Sequence, residues 1–557
     1  MARKAKNVLF IMFDQLRWDY LSCYGHPHMD TPNIDRLASM GVRFNRAYVQ
    51  STICGSSRMC AYTGRYVHSH GVGFNNAPLK VGELTMGDHL RDVGAECWLI
   101  GKTHMSADKA GMERFGMDAE DVIGARVAEC GFDVWERDDG LWAEGPSGPY
   151  DERRSPYNEY LKSKGYQGDN PWHDYANSAA GDDGKLLSGW FLENSGKPAH
   201  VHEEDSETPW LTDRAIEFAD AKRDGAPWVC HVSYIKPHWP YIVPAPYNDM
   251  YGEEHIIPVK RSEAERADAN PVFAGFQEKM VGRTFAREDV RREVIPAYMG
   301  LIKQCDDQMG RLFKHLEDAG AMEETMIVLT SDHGDYLGDH WLGEKELFHD
   351  QSVRVPMIIY DPSEEADATR GTVSDELVEM IDLPATFIDL QGARAPDEWL
   401  EGRSLLPLLR GERPDEWREF AVSEYDYSTS KVAKALDMHP KDARLFMIVD
   451  KRWKFMHAEG GFPPMLFDLE ADPDEYEDLG RSDAHSEILD LMYDRLAKWA
   501  RRCAQRTTMK DERLIAAREG GGPASRGVFI GINAEEDIPH EFSTAYRGPV
   551  RPLPERS

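Results

Sequence analysis

Four short runs of apolar residues in this chain stop abruptly on ionisable side chains. Asn7–Phe13 closes on Asp14 and Gln15, and Cys97–Ile100 runs out into Gly101-Lys102-Thr103-His104. Trp228–Tyr234 leads to Lys236-Pro237-His238, and Thr325–Thr330 delivers Ser331-Asp332-His333-Gly334. Unbroken rather than alternating hydrophobicity predicts strands covered on both faces, as in a parallel sheet between helices. Helical patterns lie between the runs: Thr31-Pro32 opens one that Gly41 ends, 84–93 and 210–222 give two more, and 288–319 carries Val294, Leu301, Ile302, Cys305, Met309, Leu312, Phe313 and Leu316 at three-four spacing. The expected fold is α/β, a large mixed but mostly parallel sheet flanked by helices. In open sheets of this kind ligands bind beyond the carboxyl ends of the strands, so these four polar ends mark the candidate site.

A second stretch points to the same chemistry. In Ser51–Tyr66, Cys54 stands four residues before Arg58 at the start of a short helical segment, with Ser56 and Ser57 as candidate N-caps and Gly64 as its stop. A sulfur over helix amide groups with a guanidinium one turn on suits an anion and a nucleophile together. Alone, Cys54 also reads as a small buried hydrophobe, and strand-end aspartates also read as caps. Two aspartates and a histidine from separate strand ends supply hard oxygen and nitrogen donors, suited to Ca²⁺, Mn²⁺ or Mg²⁺.

The rest of the chain divides by pattern. Residues 1–410 read as the main α/β domain, interrupted over about 106–208 by a Gly-, Asp- and Pro-rich insertion with Trp135, Trp142, Tyr150, Tyr157, Trp172 and Trp190, whose aromatics fit lid or subunit packing. Residues 411–503 carry shorter, alternating strands and an amphipathic helix over 484–503, a smaller antiparallel α+β domain. Residues 504–557, with Gly520-Gly521-Gly522-Pro523, read as an extended tail or oligomer arm. His68 and His70 are placed at the surface or in a loop and Cys60 in the core. The net charge of −33 argues against nucleic acid as partner. Nothing approaches the roughly 18–20 apolar residues of a membrane span, and the apolar run after Met1-Ala-Arg-Lys-Ala-Lys6 is too short for a signal peptide. Eight scattered cysteines fit a reduced, cytoplasmic protein without a disulfide framework.

Taken together, these segments resemble the sulfatases. Cys54-Gly55-Ser56-Ser57-Arg58 with Thr63-Gly64-Arg65-Tyr66 is similar to the signature in which cysteine becomes formylglycine, with Ser56 where proline is common. Gly101–His104, Lys236–His238, Ser331–Asp335 with Leu337–His340, Lys345 through Pro356, and Leu466–Leu469 with Asp472-Pro473 match the remaining blocks in order. Asp14-Gln15, Asp332-His333 and the long tail resemble the branch holding phosphonate monoester hydrolases and choline sulfatases. The resemblance implies an alkaline phosphatase-like fold. It implies one divalent cation, Ca or Mn, held by Asp14, Asp332, His333 and oxidised Cys54, with Gln15 on or beside it. It further implies that Arg58 pins the modified side chain and that Asn75 contacts a substrate oxygen. Lys102, His238 and Lys345 would neutralise charge or protonate the leaving group, and His104 would be the base, with a pKa near neutral.

The expected activity is formylglycine-dependent hydrolysis of sulfate monoesters, crossing over to phosphonate monoesters and phosphodiesters. Lys102 and His104 resemble the sulfatase pattern, since phosphonate monoester hydrolases tend to carry Tyr and Thr there. The alternative is a phosphonate monoester hydrolase or phosphodiesterase. A two-metal phosphomonoesterase using plain Cys54, with Asp339 and His340 at a second site, and a non-catalytic anion binder are the remaining rivals. Expected partners are a small anionic ester, a formylglycine-generating maturase and further copies of the chain in a dimer or tetramer.

Overall fold

The computed structural model describes residues 3–140 and 155–504, with 509–519, 522–527, 530 and 532–545 beyond them. Trp142, Tyr150, Gly520 and Gly521 lie outside the described residues. The chain divides into two compact units, Met1–Ala395 with Leu400–Ala504, and Pro396–Trp399 with Gln505–Ser557. The second contains a helix over Asp511–Glu519.

The large unit is built on an eight-stranded sheet. Its strands are β1 (Asn7–Asp14), β2 (Val42–Tyr48), β3 (Glu96–Gly101), β4 (Asp133–Arg137), β5 (Trp228–Pro237), β6 (Thr325–Ser331), β7 (Met357–Tyr360) and β8 (Thr372–Glu379). They lie in the order β8-β2-β7-β6-β1-β5-β3-β4. β7 runs antiparallel to both neighbours, and the other pairings are parallel. The four strands read from apolar runs that end on charge are thus consecutive, β6-β1-β5-β3. Their registers pair Phe13 with Ser331 on one side and Tyr234 on the other, and Gly101 with Ser233, so the following residues emerge along one edge.

Both faces of β1 are covered, as its unbroken hydrophobicity requires. Val8, Phe10 and Met12 enter one core with Met326, Val328 and Phe387. Leu9, Ile11 and Phe13 enter the other with Ile327, Leu329, Tyr298 and Leu301. The helices that complete these layers are α1 (Pro32–Met40), α2 (Cys54–Thr63), α3 (Glu207–Ala221), α4 (Glu288–Asp318) and α5 (Asp382–Leu390). Each fully buried Leu, Ile or Phe contributes about 1.5–3 kcal/mol, so the strand ends are anchored by stiff ladders rather than by loops.

A four-stranded antiparallel sheet follows, β9 (Ala421–Asp426), β10 (Arg444–Val449), β11 (Trp453–Ala458) and β12 (Met465–Asp468), in sequence order. It is faced by α6 (Ser486–Ala504), whose Met492 and Trp499 join Val422, Ile448, Phe455 and Leu466 in a third core. Lys454 of β11 is fully buried and pairs with Asp350 at 2.6 Å and Glu475 at 2.7 Å. The segment 106–208 contributes the edge strand β4, parallel to β3, and a helix over Pro156–Ser163. His70, expected at the surface or in a loop, instead ends a short helix over Val67–His70 and is buried, with Nε2 3.2 Å from Cys60 Sγ. Cys23, Cys54, Cys60, Cys97, Cys130, Cys230 and Cys305 are free thiols. No helix among the described residues is long and apolar enough to cross a membrane.

Candidate active site

The edge formed by β6, β1, β5 and β3 supplies Asp332 and His333, Asp14, His238, and Lys102 with His104. Helix α2 points its N-terminus at the same place. It begins at Cys54 itself, with Ile53 in the cap position, so Ser56 and Ser57 lie inside its first turn rather than capping it. Ser57 Oγ instead donates to the Asp332 carbonyl at 2.6 Å, tying α2 to the end of β6. Asn75 Oδ1 accepts from the Gly55 N–H at 2.9 Å and supplies the missing cap. Asn75 also lines the cleft above Cys54. Gly64 closes the helix with φ 65°, and a Cβ there would come within 2.7 Å of Leu400.

One ligand atom from each of Asp14, Cys54, Asp332 and His333 lies within 4.8 Å of all the others, and all four residues are buried. His333 Nδ1 donates to the Gly334 carbonyl at 2.8 Å, which leaves the Nε2 lone pair facing inward. Nε2 is 3.1 Å from Cys54 Sγ, 3.6 Å from Asp332 Oδ1 and 3.7 Å from Asp14 Oδ1. The outer carboxylate oxygens are held by cations. Arg58 donates from Nε to Asp332 Oδ2 at 2.9 Å and from Nη2 to Asp14 Oδ2 at 3.1 Å, and Lys102 Nζ meets Asp14 Oδ2 at 2.6 Å. Two inward carboxylate oxygens and a neutral imidazole fit a hard divalent cation.

The charges follow from this packing. Burial opposes ionisation of Asp14, yet Lys102, His238, Arg58 and Lys345 outweigh it and hold the carboxyl well below its usual range. Burial also opposes the charge on Lys345, but Cys54, Asp14 and Glu344 keep that ammonium protonated. Burial and the Asp14 charge push the Cys54 thiol up to about 11. His104 and His238 are both held well below the ordinary imidazole value, chiefly by burial. His104 is therefore neutral and proton-accepting near pH 7, with a value below the near-neutral one expected from sequence.

Lys345 links the halves of the site: Nζ lies 2.9 Å from Cys54 Sγ, 3.2 Å from His238 Nε2 and 3.3 Å from Gln15 Oε1. His238 Nδ1 donates to the Trp239 carbonyl at 2.7 Å, so its Nε2 is the acceptor toward Lys345. Gln15 is held from behind, its Nε2 donating to Asp335 Oδ2 at 2.6 Å and Tyr241 OH at 2.9 Å. Asp339 and His340 are engaged elsewhere, with Arg17 at 2.7 Å and Glu265 at 2.5 Å.

Several contributors have no signal in the sequence. Asp139 Oδ1 accepts the backbone N–H groups of Thr103 at 3.0 Å and His104 at 2.8 Å, and its Oδ2 meets Arg137 at 2.7 Å. It thus fixes the left-handed backbone of His104, φ 52°. Trp172 and Trp190, read from sequence as packing residues, line the cleft with Phe74, Trp239 and Tyr425. The cleft has a volume of about 670 Å³ and reaches down to Cys54, Lys102, His104, His238 and Lys345.

Comparison with known proteins agrees with this geometry. The sulfatase family model matches residues 6–393, and one for the C-terminal region of N-sulphoglucosamine sulphohydrolase matches 338–502. The chain is 29% identical over 541 residues to a multifunctional alkaline phosphatase superfamily protein of Trinickia caryophylli, covering 90% of this chain and 96% of that one. It is also 29% identical over 501 residues to an arylsulfatase of Clostridium perfringens, covering 87% and 92%. Among solved structures, a phosphonate monoester hydrolase from Silicibacter pomeroyi superposes with TM-score 0.77 at 28% identity, covering 89% of this chain and 95% of that one. The chain belongs to the sulfatase family and is a hydrolase of ester bonds with the alkaline phosphatase-like fold.

Proposed function

We propose that this sulfatase-family chain is a formylglycine-dependent hydrolase of aryl or alkyl sulfate monoesters, with crossover to phosphonate monoesters and phosphodiesters. The observation that carries the reading is the position of Cys54, whose Sγ touches Lys345 Nζ at 2.9 Å and His333 Nε2 at 3.1 Å inside the Asp14–Asp332 cradle. Asp14, Asp332, His333 and residue 54 would hold a calcium or manganese ion, with Gln15 beside it. Such an ion supplies positive charge to an anionic ester and acidifies an oxygen on residue 54. Formylglycine at position 54, as its hydrate, supplies a hydroxyl nucleophile and a second hydroxyl whose deprotonation returns the aldehyde.

The chain's own groups have separate tasks. Arg58 fixes both carboxylates. Lys102 and Lys345 stabilise the negative charge that grows on the transferred group, and fixed donors of this kind dominate such transfers. Lys345 donates to His238 Nε2 at 3.2 Å, so this pair holds a proton beside the leaving oxygen. His104, neutral through burial, accepts the proton of the second hydroxyl. Asn75 offers its amide to a substrate oxygen.

Lys102 and His104 support sulfate as the main head group. The likeness to the Silicibacter phosphonate monoester hydrolase supports phosphonate monoesters or phosphodiesters as the second reading. We further assign residues 1–410 to catalysis, 411–503 to a supporting domain and 504–557 to an oligomer arm, in a cytoplasmic dimer or tetramer matured by a formylglycine-generating enzyme.

Co-expression with a maturase, followed by peptide mass measurement, should give a Cys54 peptide about 18 Da lighter, and metal analysis should give one ion per chain. Comparing kcat/KM on para-nitrophenyl sulfate and para-nitrophenyl phenylphosphonate should favour the sulfate. A large phosphonate preference reverses that order. Two ions per chain and an unmodified, active Cys54 would sink the reading entirely.

A further inference from the structure

One buried ammonium group has no task in the chemistry above. Lys236, at the end of β5, is only 6% exposed. Its Nζ donates to Asn177 Oδ1 and to the Pro240 carbonyl, both at 3.0 Å, and more weakly to the His238 carbonyl at 3.5 Å. All three acceptors are neutral oxygens, so among the described residues the ammonium has no ion-pair partner. Burying a cation without a counter-ion is unfavourable, and packing alone is better served by an apolar side chain of similar volume.

The three contacts join two parts of the site. Two of them hold the turn that carries His238. In that turn the His238 N–H donates to the Ile235 carbonyl at 3.1 Å and His238 Nδ1 to the Trp239 carbonyl at 2.7 Å, and Trp239 and Pro240 line the cleft. The third contact reaches the insertion, where Asn177 is a hub. Its N–H and its Nδ2 both donate to the Trp172 carbonyl, at 3.0 and 3.2 Å. Its own carbonyl accepts from the Gly189 N–H at 2.9 Å, one residue before Trp190. Trp172 Nε1 is fixed in turn on Glu207 Oε1 at 2.9 Å. A single nitrogen thus connects the imidazole that faces Lys345 at 3.2 Å to the wall formed by Trp172 and Trp190.

We propose that Lys236 is a positioning residue for ester cleavage: it holds the His238 imidazole against Lys345 and couples that placement to the tryptophan wall. The inference rests on the reading that the His238–Lys345 pair keeps a proton beside the leaving oxygen. Burial, with Glu207, Cys305 and Asp14 opposing it and Lys102 adding to it, pushes the Lys236 ammonium down to about 8. It is therefore mainly protonated at pH 7, and only that form has three N–H donors for three oxygens. A shift of about 1 Å in such a group lowers a rate by up to about a hundredfold, most where the leaving oxygen is basic and most needs the proton.

The test compares kcat/KM for phenyl sulfate and para-nitrophenyl sulfate on each preparation of the mature, metal-loaded protein, so that the ratio is independent of how much of it is folded or converted. In His238→Ala the ratio should move about tenfold or more against the phenyl ester, whose leaving oxygen is the more basic. Lys236→Met should move it the same way by about three- to tenfold, and Asn177→Ala, which keeps the ammonium and both carbonyl acceptors, by about threefold. Adding either change to His238→Ala should leave that variant's ratio where it was. Asn177→Ala carries the test where Lys236→Met folds poorly. Equal losses on both esters in Lys236→Met and Asn177→Ala, or a further shift in the His238→Ala background, overturn the proposal. An unchanged ratio in His238→Ala overturns the proton-holding reading along with it, whereas a shift there and in neither other variant overturns the positioning role alone. Hydrolysis of the matching phenylphosphonates but of neither sulfate, with the same pattern of ratios, keeps the positioning role and replaces only the sulfate reading.

Discussion

Replacing Arg58 with methionine removes the guanidinium that ties the ion cradle together. The arginine side chain is fully buried and donates to Asp332, Asp14, the Lys102 carbonyl and Ser233 Oγ at 2.9, 3.1, 3.0 and 2.6 Å. Methionine keeps much of the apolar stem and none of these donors. Asp14 retains Lys102 at 2.6 Å. Asp332 retains the Gln15 amide at 3.1 Å but loses its guanidinium. Removing one partner of a buried pair costs about 3–5 kcal/mol, and the retained partners place this case at the lower end, about 3 kcal/mol. That corresponds to roughly a hundredfold rise in the unfolding constant. Urea unfolding followed by tryptophan fluorescence, in chelator, reads it directly, and unfolding rates serve where refolding is incomplete. Adding Asp332→Asn to the Arg58→Met variant should recover more than about 1 kcal/mol, because the orphaned charge is gone. Excess calcium should also recover part of the loss by binding the folded state. A loss below about 1 kcal/mol, or strict additivity in the double variant, would refute the reasoning that Arg58 bridges two buried carboxylates there.

Three further outcomes follow from the same geometry. Asp139→Asn frees the His104 loop, so kcat should drop about 10–100-fold with little change in KM; an equal effect on both parameters would argue for a substrate contact instead. Lys345→Met should lower kcat/KM on sulfate esters by about 10²–10³, and a smaller loss on esters with better leaving groups would place Lys345 on the leaving oxygen. Burial pushes the Asp306 carboxyl up to about 6, despite hydrogen bonds from the Asn33 and Ile34 amides at the start of α1. Its folded value thus exceeds the unfolded one, so its contribution is full below about pH 4 and lost as pH rises through 6, a swing of about 2–3 kcal/mol. Wild type should lose that much relative to Asp306→Asn between pH 4 and 7, whereas a flat difference would mean that the helix N-terminus keeps Asp306 ionised.

The metal-facing part of the site was legible because each residue follows an apolar run, and such runs become central strands whose ends are fixed by the ladder. Asp14, Lys102 and Asp332 needed only the rule that parallel strands deliver ligand groups at their carboxyl ends. β2 and β8 gave no comparable signal, since Val42–Tyr48 mixes arginines with apolar residues and Thr372–Ser374 begins exposed and polar. Asp139 was invisible for a different reason: it works through backbone amides more than thirty residues away, and no local pattern encodes that. Trp172 and Trp190 sit in a stretch of weak periodicity, where aromatic content alone does not tell a cleft wall from an interface. The capping role of Asn75 was missed because the serines beside Cys54 offered a nearer answer; its oxygen comes from a separate loop.

The division of labour between strand ends and connections has a practical consequence. The candidate ion-holding groups hang on adjacent rails of one large sheet, whereas the outer cleft walls come from segments around 172–190, 239 and 344, where the pairing is only a short hairpin of Ser178–Ala180 with Leu186–Ser188. Swapping those outer segments should redirect the enzyme toward new alcohols while its ester-cleaving machinery stays in place. A library confined to these positions therefore samples substrate range without spending variants on catalysts that have lost their ion.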